Sequence, residues 1–317
     1  MSRHLQFSVN RRRAEHARID DDTQYLEYLE AIADVGADIE LFDPAPHSRD
    51  LARFQTWMSE LDLTIGAVHG PHLQRVLDGP DPGAFLRSYV RAEHLASTID
   101  RIPDRSISPA VSTHHPPRLW PDDDRDIDTA RRAFLSTYAD AMPTLEPDRA
   151  DLPDAYDGSL ITATVALENV APKTDHQYLL VTPEDVRVLR RTARELGVED
   201  RLAFTCDVGH AGDPAAVLEA MESVVNVHLH STIATTDPAA DELCSRFGFT
   251  DRRQLGEFDR PNVAHHLPPY LGDLDLPATF DTLDDHEYDG PITIELARGY
   301  RRPSVVYDTA DVLAPSL

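Results

Sequence analysis

Leu202-Ala203-Phe204-Thr205-Cys206-Asp207-Val208-Gly209-His210 splits at a strand's period into two unlike faces. Ala203 and Thr205 share a face with Asp207, whereas Leu202, Phe204 and Cys206 point the other way. Residues 162–170, TATVALENV, divide in the same manner: Thr164 and Ala166 lie on the face of Glu168, with Val165 and Leu167 opposite. In residues 291–296, PITIEL, Thr293 shares the face of Glu295, with Ile292 and Ile294 opposite. Residues 64–72, TIGAVHGPH, and 224–230, VVNVHLH, are two further apolar runs that reach His69 and His228. Small or polar residues on one side, bulky apolar ones on the other and a metal-ligating side chain at the end describe strands of a narrow parallel barrel. Such a barrel has its helices outside and gathers its chemistry at the C-terminal strand ends.

Strand and helix signals alternate along the whole chain. Strands are expected at HLQFSVN (4–10), ADIELF (37–42), SISPAVSTHH (106–115) and before each ligand candidate. Helices are expected over 22–36, 48–60, 83–99, 125–142, from Thr182-Pro183-Glu184-Asp185 to Gly197, and after Asp213-Pro214. The Thr-Pro-Glu-Asp start supplies an N-cap, a first-turn proline and acids at the positive end of the helix dipole, and Gly197 supplies the stop. The economical fold is α/β: a single-domain (β/α)8 TIM barrel over residues 1–317. Its long loops, 115–160 and 231–272, are expected on the C-terminal face.

The formal net charge is -26, and Lys173 is the only lysine, so 29 of the 30 basic residues are arginine. That balance is expected of a halophilic protein kept soluble in concentrated salt, so its acidity reports on the solvent. The two cysteines, Cys206 and Cys244, make neither a disulfide framework nor a paired-thiolate metal motif. The N-terminus lacks an apolar leader, and no apolar stretch is long enough to span a bilayer. A cytoplasmic location without membrane contact is expected, and a homo-oligomer is compatible with the sequence.

Three carboxylates and several imidazoles at one end of a barrel would repel and desolvate one another at a cost of several kcal/mol without a compensating cation. Mixed carboxylate and imidazole donors suit a hard or borderline divalent ion such as Mn, Mg, Co or Zn. His4, His16, His47, His94, His176 and His286 read as surface or loop residues. Only one of the adjacent pair His114 and His115, and one of His265 and His266, is expected to point easily into the barrel.

The ordered set VHGPH, THHPP, ALENV, CDVGH, VHLH, HHLPPYLG and IEL resembles the xylose isomerase-like barrel superfamily, which holds sugar isomerases and epimerases and also the endonuclease IV enzymes. In the isomerase branch the resemblance implies one divalent ion held by Glu168, Asp207, His228 and Glu295. Glu168 and Glu295 would also act as the acid/base pair, moving a proton between neighbouring carbons through an enediolate that the metal stabilises. His210 resembles a substrate-hydroxyl contact of that branch. From their positions, His266, His72 (or it closes a turn) and Arg298 (or it pairs with surface Asp) are expected to contact a small-molecule sugar or sugar phosphate. In the endonuclease IV branch, His69, His115, Glu168, Asp207, His210, His228, His266 and Glu295 match eight of nine ligand positions. Two or three zinc ions would then bind, with His69 and His115 at a second metal, and nucleic acid with abasic sites would be the substrate. The ninth position is Ala264, and Ser231 and the Leu271-Gly272-Asp273-Leu274 turn also depart from the pattern. No basic stripe matches a DNA groove, and the isomerase or epimerase reading is the favoured expectation.

Overall fold

The structure is a computed structural model that describes residues 3–10, 22–42, 51–70, 72–79, 81, 111–141, 164–260 and 262–317. In chain order its first half comprises β1 (His4–Asn10), α1 (Asp22–Asp34), β2 (Asp38–Phe42), α2 (Leu51–Glu60), β3 (Ile65–Gly70), α3 (Gln74–Asp78), β4 (Val111–His114), β5 (Arg118–Leu119), α4 (Ile127–Ala141), β6 (Thr164–Glu168) and β7 (Gln177–Tyr178). There follow α5 (Pro183–Leu196), β8 (Ala203–Asp207), α6 (Pro214–Ala220), β9 (Val224–Leu229), β10 (Ser231–Ala234), α7 (Ala239–Phe247), β11 (Glu257–Arg260), β12 (Val263–Leu267), α8 (Leu276–Asp285), β13 (Pro291–Ile294) and α9 (Pro303–Leu313). Eight of the strands, in the order β1-β13-β9-β8-β6-β4-β3-β2, pair into a closed barrel. The helix expected over 83–99 and the Asp-rich segment beyond residue 141 lie outside the described residues.

The alternation read from the strands is realised as two separate apolar clusters. Phe204, Cys206, Val165, Leu167, Ile292 and Ile294 pack outward into the large core beneath the helices. Ala67, Val111, Ala166 and Ala203 form a small cluster of their own, because only short side chains fit inside the barrel. Hydroxyls and amides of the inward face then bond to one another. Thr113 Oγ1 lies 2.8 Å from Thr205 Oγ1, and Thr293 Oγ1 lies 3.2 Å from Gln6 Oε1 and 3.0 Å from Asn226 Oδ1, sharing its one proton between them. Gly66 keeps the wall open for Gln6: a Cβ there would stand 2.0 Å from its Nε2.

Strand register brings the ligand candidates level, with Asp207 opposite His228 and His228 opposite Thr293. Helix α5 begins as its sequence dictates, in a capping box between Thr182 and Asp185, and ends at Gly197 with φ 70°. The segment 231–272, expected as a long connection, is instead largely ordered. It holds α7 and the antiparallel sheet β10-β12-β11, and β5 pairs with β7 in a second small sheet.

Candidate metal centre

Ligand atoms of Glu168, Asp207, His228 and Glu295 all lie within 4.8 Å of one another, and all four residues are buried. Glu168 and Asp207 end β6 and β8, His228 sits near the end of β9, and Glu295 follows β13 directly. His228 Nδ1 lies 3.1 Å from Glu168 Oε1 and 3.6 Å from Glu295 Oε1. Its Nε2 faces the other way, 3.0 Å from Glu40 Oε2. Asn169 braces the neighbouring strand: its Nδ2 donates to the Asp207 carbonyl and its Oδ1 accepts the Asp207 N–H, both at 2.8 Å.

Among the described residues three further groups share ligands with this one, and His69 belongs to two of them, with His228 and Glu295 and with His115 and Glu168. His69 Nε2 and His115 Nε2 each approach Glu168 Oε2 at 3.0 Å. On the other side, Asp207, His210, His230 and His266 form the third, within the same 4.8 Å limit. His210 Nδ1 stands 2.9 Å from Asp207 Oδ2, and His230 Nε2 stands 3.1 Å from Asp207 Oδ1. The His266 backbone N–H donates to His230 Nδ1 at 3.1 Å, so the neutral His230 ring carries its proton on Nε2 and donates to Asp207. His230 therefore orients the carboxylate. Gly209 gives it room, since a Cβ there would meet His230 Cε1 at 2.1 Å. His266 itself adopts φ 62°, a left-handed conformation unusual for a side chain this large, and its Nε2 lies 3.3 Å from Glu295 Oε2.

The charges are arranged to fit a cation. Burial pushes the Glu168 carboxyl up, but His115 and His228 outweigh it and hold the group well below the usual carboxylate range. Burial likewise raises Asp207, against the stronger pull of His210 and His230 downward. Glu295 is held at about 2, where His228 and His266 overcome burial. Burial lowers His228, yet Glu40, Glu295 and Glu168 lift it well above its ordinary value. Three ionised carboxylates and an imidazole, all buried, are a donor set that fits a hard or borderline divalent ion. Without an ion, protons on the imidazoles balance the carboxylates.

The mouth of the site is a cavity of about 670 Å³ that reaches the centre at His115 and His210. His72 lines it: its Nε2 lies 3.2 Å from His115 Nδ1, and its ring stacks on Tyr178 at 5.7 Å. Burial, with His115 and Arg118 nearby, drops the His72 value to about 3. Arg298 lies elsewhere, in a separate cavity with Arg301 and Arg302. His114 turns away, its Nε2 2.9 Å from Ser112 Oγ. At the departures from the resemblance, Ala264 is fully buried in the core, and Ser231 Oγ accepts the Leu274 N–H at 3.1 Å.

Residues 29–315 match the family described as xylose isomerase-like TIM barrel. The chain belongs to that family. Among similar solved structures, a D-tagatose 3-epimerase-like protein superposes with a TM-score of 0.60 at 16% identity, covering 99% of this chain and 96% of that one. A 3-keto-D-glucoside 4-epimerase from E. coli gives 0.57 at 12%, with 99% and 100% covered. A probable 3-DHS dehydratase from Bacillus anthracis gives 0.54 at 13%, with 98% of each chain covered. Likeness at these identities establishes the fold. No curated protein matches the sequence.

Reading the sequence alone missed Glu40, His176 and Arg118. Glu40 was legible in ADIELF, where Ile39 and Leu41 mark the helix side and leave Glu40 on the barrel face. His176, expected on the surface, packs between the rings of Trp120 at 5.1 Å and Tyr178 at 4.8 Å. Its partners come from the β5-β7 pair, which no periodic pattern announces.

Proposed function

We propose that the protein is a divalent-metal-dependent sugar isomerase or epimerase. The observation that carries this reading is that Glu168 Oε1 and Glu295 Oε1 stand 3.1 and 3.6 Å from the same His228 Nδ1, next to a cavity walled by His115 and His210. Glu168, Asp207, His228 and Glu295 would hold the ion, which supplies positive charge to polarise a substrate carbonyl and acidify the adjacent C–H. One glutamate takes the proton from carbon, and the C–H electron pair moves toward the carbonyl oxygen. Isomerisation follows when the same glutamate returns its proton to the neighbouring carbon while the hydroxyl proton shifts to the former carbonyl oxygen. Inversion requires the second glutamate to enter the cycle protonated and give its proton to the opposite face, so the two exchange roles each turnover. Asp207 is kept in place by His230 and Asn169, and His210 is within reach of a substrate hydroxyl. The test is exchange of a ketose C–H with deuterium from heavy water, followed by NMR, on protein loaded with manganese or cobalt. Exchange that needs the metal and both glutamates supports the reading, and its absence across a ketose panel refutes it.

A second reading is favoured by one specific feature: His69 and His115 both face Glu168 Oε2, which makes Glu168 a bridging candidate. A two-metal hydrolase of the endonuclease IV type, acting on abasic-site DNA, would use such a pair. Elemental analysis separates the two. About one ion per chain fits the isomerase, whereas about two or three zinc ions would favour the phosphodiesterase.

A further inference from the structure

From Arg118 and its surroundings we infer that the substrate of this site carries an anionic group, a carboxylate or a phosphate, which the cavity mouth binds through Arg118 while the sugar carbons extend toward the metal centre. The inference rests on the isomerase or epimerase reading and deepens it.

In a chain of net charge -26, arginines find carboxylates easily. Arg3, Arg125, Arg190 and Arg252 each sit against an aspartate or glutamate. Arg118 has no carboxylate partner among the described residues. Its guanidinium Cζ lies 4.4 Å over the Trp120 ring and 6.0 Å from the centre of the Tyr178 ring. Among the described residues its side-chain hydrogen bond runs from Nη1 to the Tyr178 hydroxyl at 3.4 Å, the outer limit of such a contact. Nε is buried and has no hydrogen-bond partner among the described residues. A guanidinium left with idle donors at a pocket wall is suited to the paired oxygens of a carboxylate or phosphate.

The arginine is also held in position. Gln74 clamps its main chain from both sides: Arg118 N–H donates to Gln74 Oε1 at 3.0 Å, and Gln74 Nε2 donates to the Arg118 carbonyl at 2.9 Å. Residue 118 pairs with Tyr178 in the β5-β7 sheet, and the neighbouring Leu179 N–H reaches the Pro117 carbonyl at 3.0 Å. Fixed cations aimed at a cavity give specificity because their ordering cost is met on folding. Lys173, the only lysine, lines the same cavity. Among its described lining residues the carboxylate is Asp175, an exposed side chain whose Oδ1 lies 2.7 Å from His176 Nδ1. The same cavity is walled by His115 and His210, which contact Glu168 and Asp207, so it runs from Arg118 to the edge of the metal centre.

Calorimetric titration of the manganese-loaded protein with D-fructose, D-fructose 6-phosphate and D-fructuronate, at one fixed salt concentration, tests this. At least one acidic sugar is expected to bind tenfold or more tightly than fructose, and which of the two it is distinguishes phosphate from carboxylate. In Arg118→Gln the ratio of acidic to neutral affinity should fall toward one, while Arg118→Lys keeps part of it. Fructose binding as tightly as both acids, or failure of both acids to bind, overturns the inference. The two claims fail separately. Metal-dependent deuterium exchange into fructose with no advantage for either acid leaves the isomerase reading standing and removes the anion site; if no sugar exchanges, the isomerase reading itself falls. Should Arg118→Gln not fold, the wild-type ratio and Arg118→Lys still decide.

Discussion

Glu40 Oε2 accepts from His228 Nε2 at 3.0 Å across the interior of the barrel, and both side chains are completely buried. The pairing leaves Nδ1 of the same ring free to face Glu168 and Glu295, so Glu40 decides which nitrogen is offered to a metal. Glu40 is itself fixed by Asn226, whose Nδ2 donates to the same Oε2 at 2.9 Å. A carboxylate placed behind a ligating imidazole both sets the tautomer and raises the ligand's basicity. Glu40→Ala is expected to weaken manganese or cobalt binding by roughly 10–100-fold. Glu40→Gln, which keeps a side-chain carbonyl acceptor, should lose less. Competition with a chelator of known affinity measures both, and unaltered affinity in Glu40→Ala would remove Glu40 from the site.

Glu168→Gln and Glu295→Gln test the acid/base pair at metal concentrations that keep the site loaded. Each amide keeps an oxygen donor but cannot carry a proton between carbons. Either change should lower C–H exchange by about 10²–10⁴-fold. Metal affinity should fall too, because one of three ionised carboxylates is lost. Full exchange in both variants would sink the assignment of the acid/base pair.

How far the site was legible depended on which residues sit in periodic strands. The β6, β8 and β13 segments announce their carboxylates because small residues alternate with bulky ones, and only a narrow interior imposes that pattern. His228 follows from a similar run. Glu40 obeys the same parity but stands mid-strand among apolar residues, where a carboxylate is easily taken for an exposed one. Arg118 and His176 were illegible for a different reason. Their positions depend on a two-residue strand pair and on Gln74 at the start of α3, contacts that leave no local period. Nor could the pattern of 231–272 reveal an antiparallel sheet, whose strands are short and interrupted by register shifts.

Without metal, stability should fall as pH rises from about 6.5 to 9. Burial pulls His69 down, but Glu168, with Glu40 and Glu295, lifts it from 6.5 to about 9. His228 is also raised, by Glu40, Glu295 and Glu168 against burial, and His266 by Glu295 against burial. Groups with folded values above their unfolded ones stabilise fully below the unfolded value and lose that contribution as pH climbs through the folded value. The loss should be on the order of 2 kcal/mol. Urea titrations of chelator-treated protein at pH 6.5 and 9 measure it. Metal competes with the same protons, so its affinity should rise over that interval, and a metal-free protein more stable at pH 9 would contradict the charge balance drawn here.

Added KCl should stabilise the fold. A net charge of -26 repels itself, and 1 M salt shortens the screening length to about 3 Å. Thermal unfolding measured from 0.2 to about 3 M KCl should show a rising midpoint; a flat or falling one would remove the halophilic reading of the composition.

Gly209 and His230 provide a sharper probe of how Asp207 is held. A Cβ at residue 209 would lie 2.1 Å from the His230 ring, with Nδ1 at 2.2 Å, and neither the ring nor the strand end can yield without moving the other. The ring cannot swing aside cheaply, because Nε2 donates to Asp207 and Nδ1 accepts from the His266 backbone. Gly209→Ala should therefore destabilise by about 1–3 kcal/mol and weaken metal binding, although residue 209 touches no metal. His230→Ala removes the ring and with it the clash, at the expense of the hydrogen bond to Asp207. The double variant should then be little worse than His230→Ala alone, with a coupling of about 1–2 kcal/mol between the two sites. Strictly additive losses, in stability and in metal affinity together, would mean that Gly209 acts through its own backbone and that His230 does not position the carboxylate.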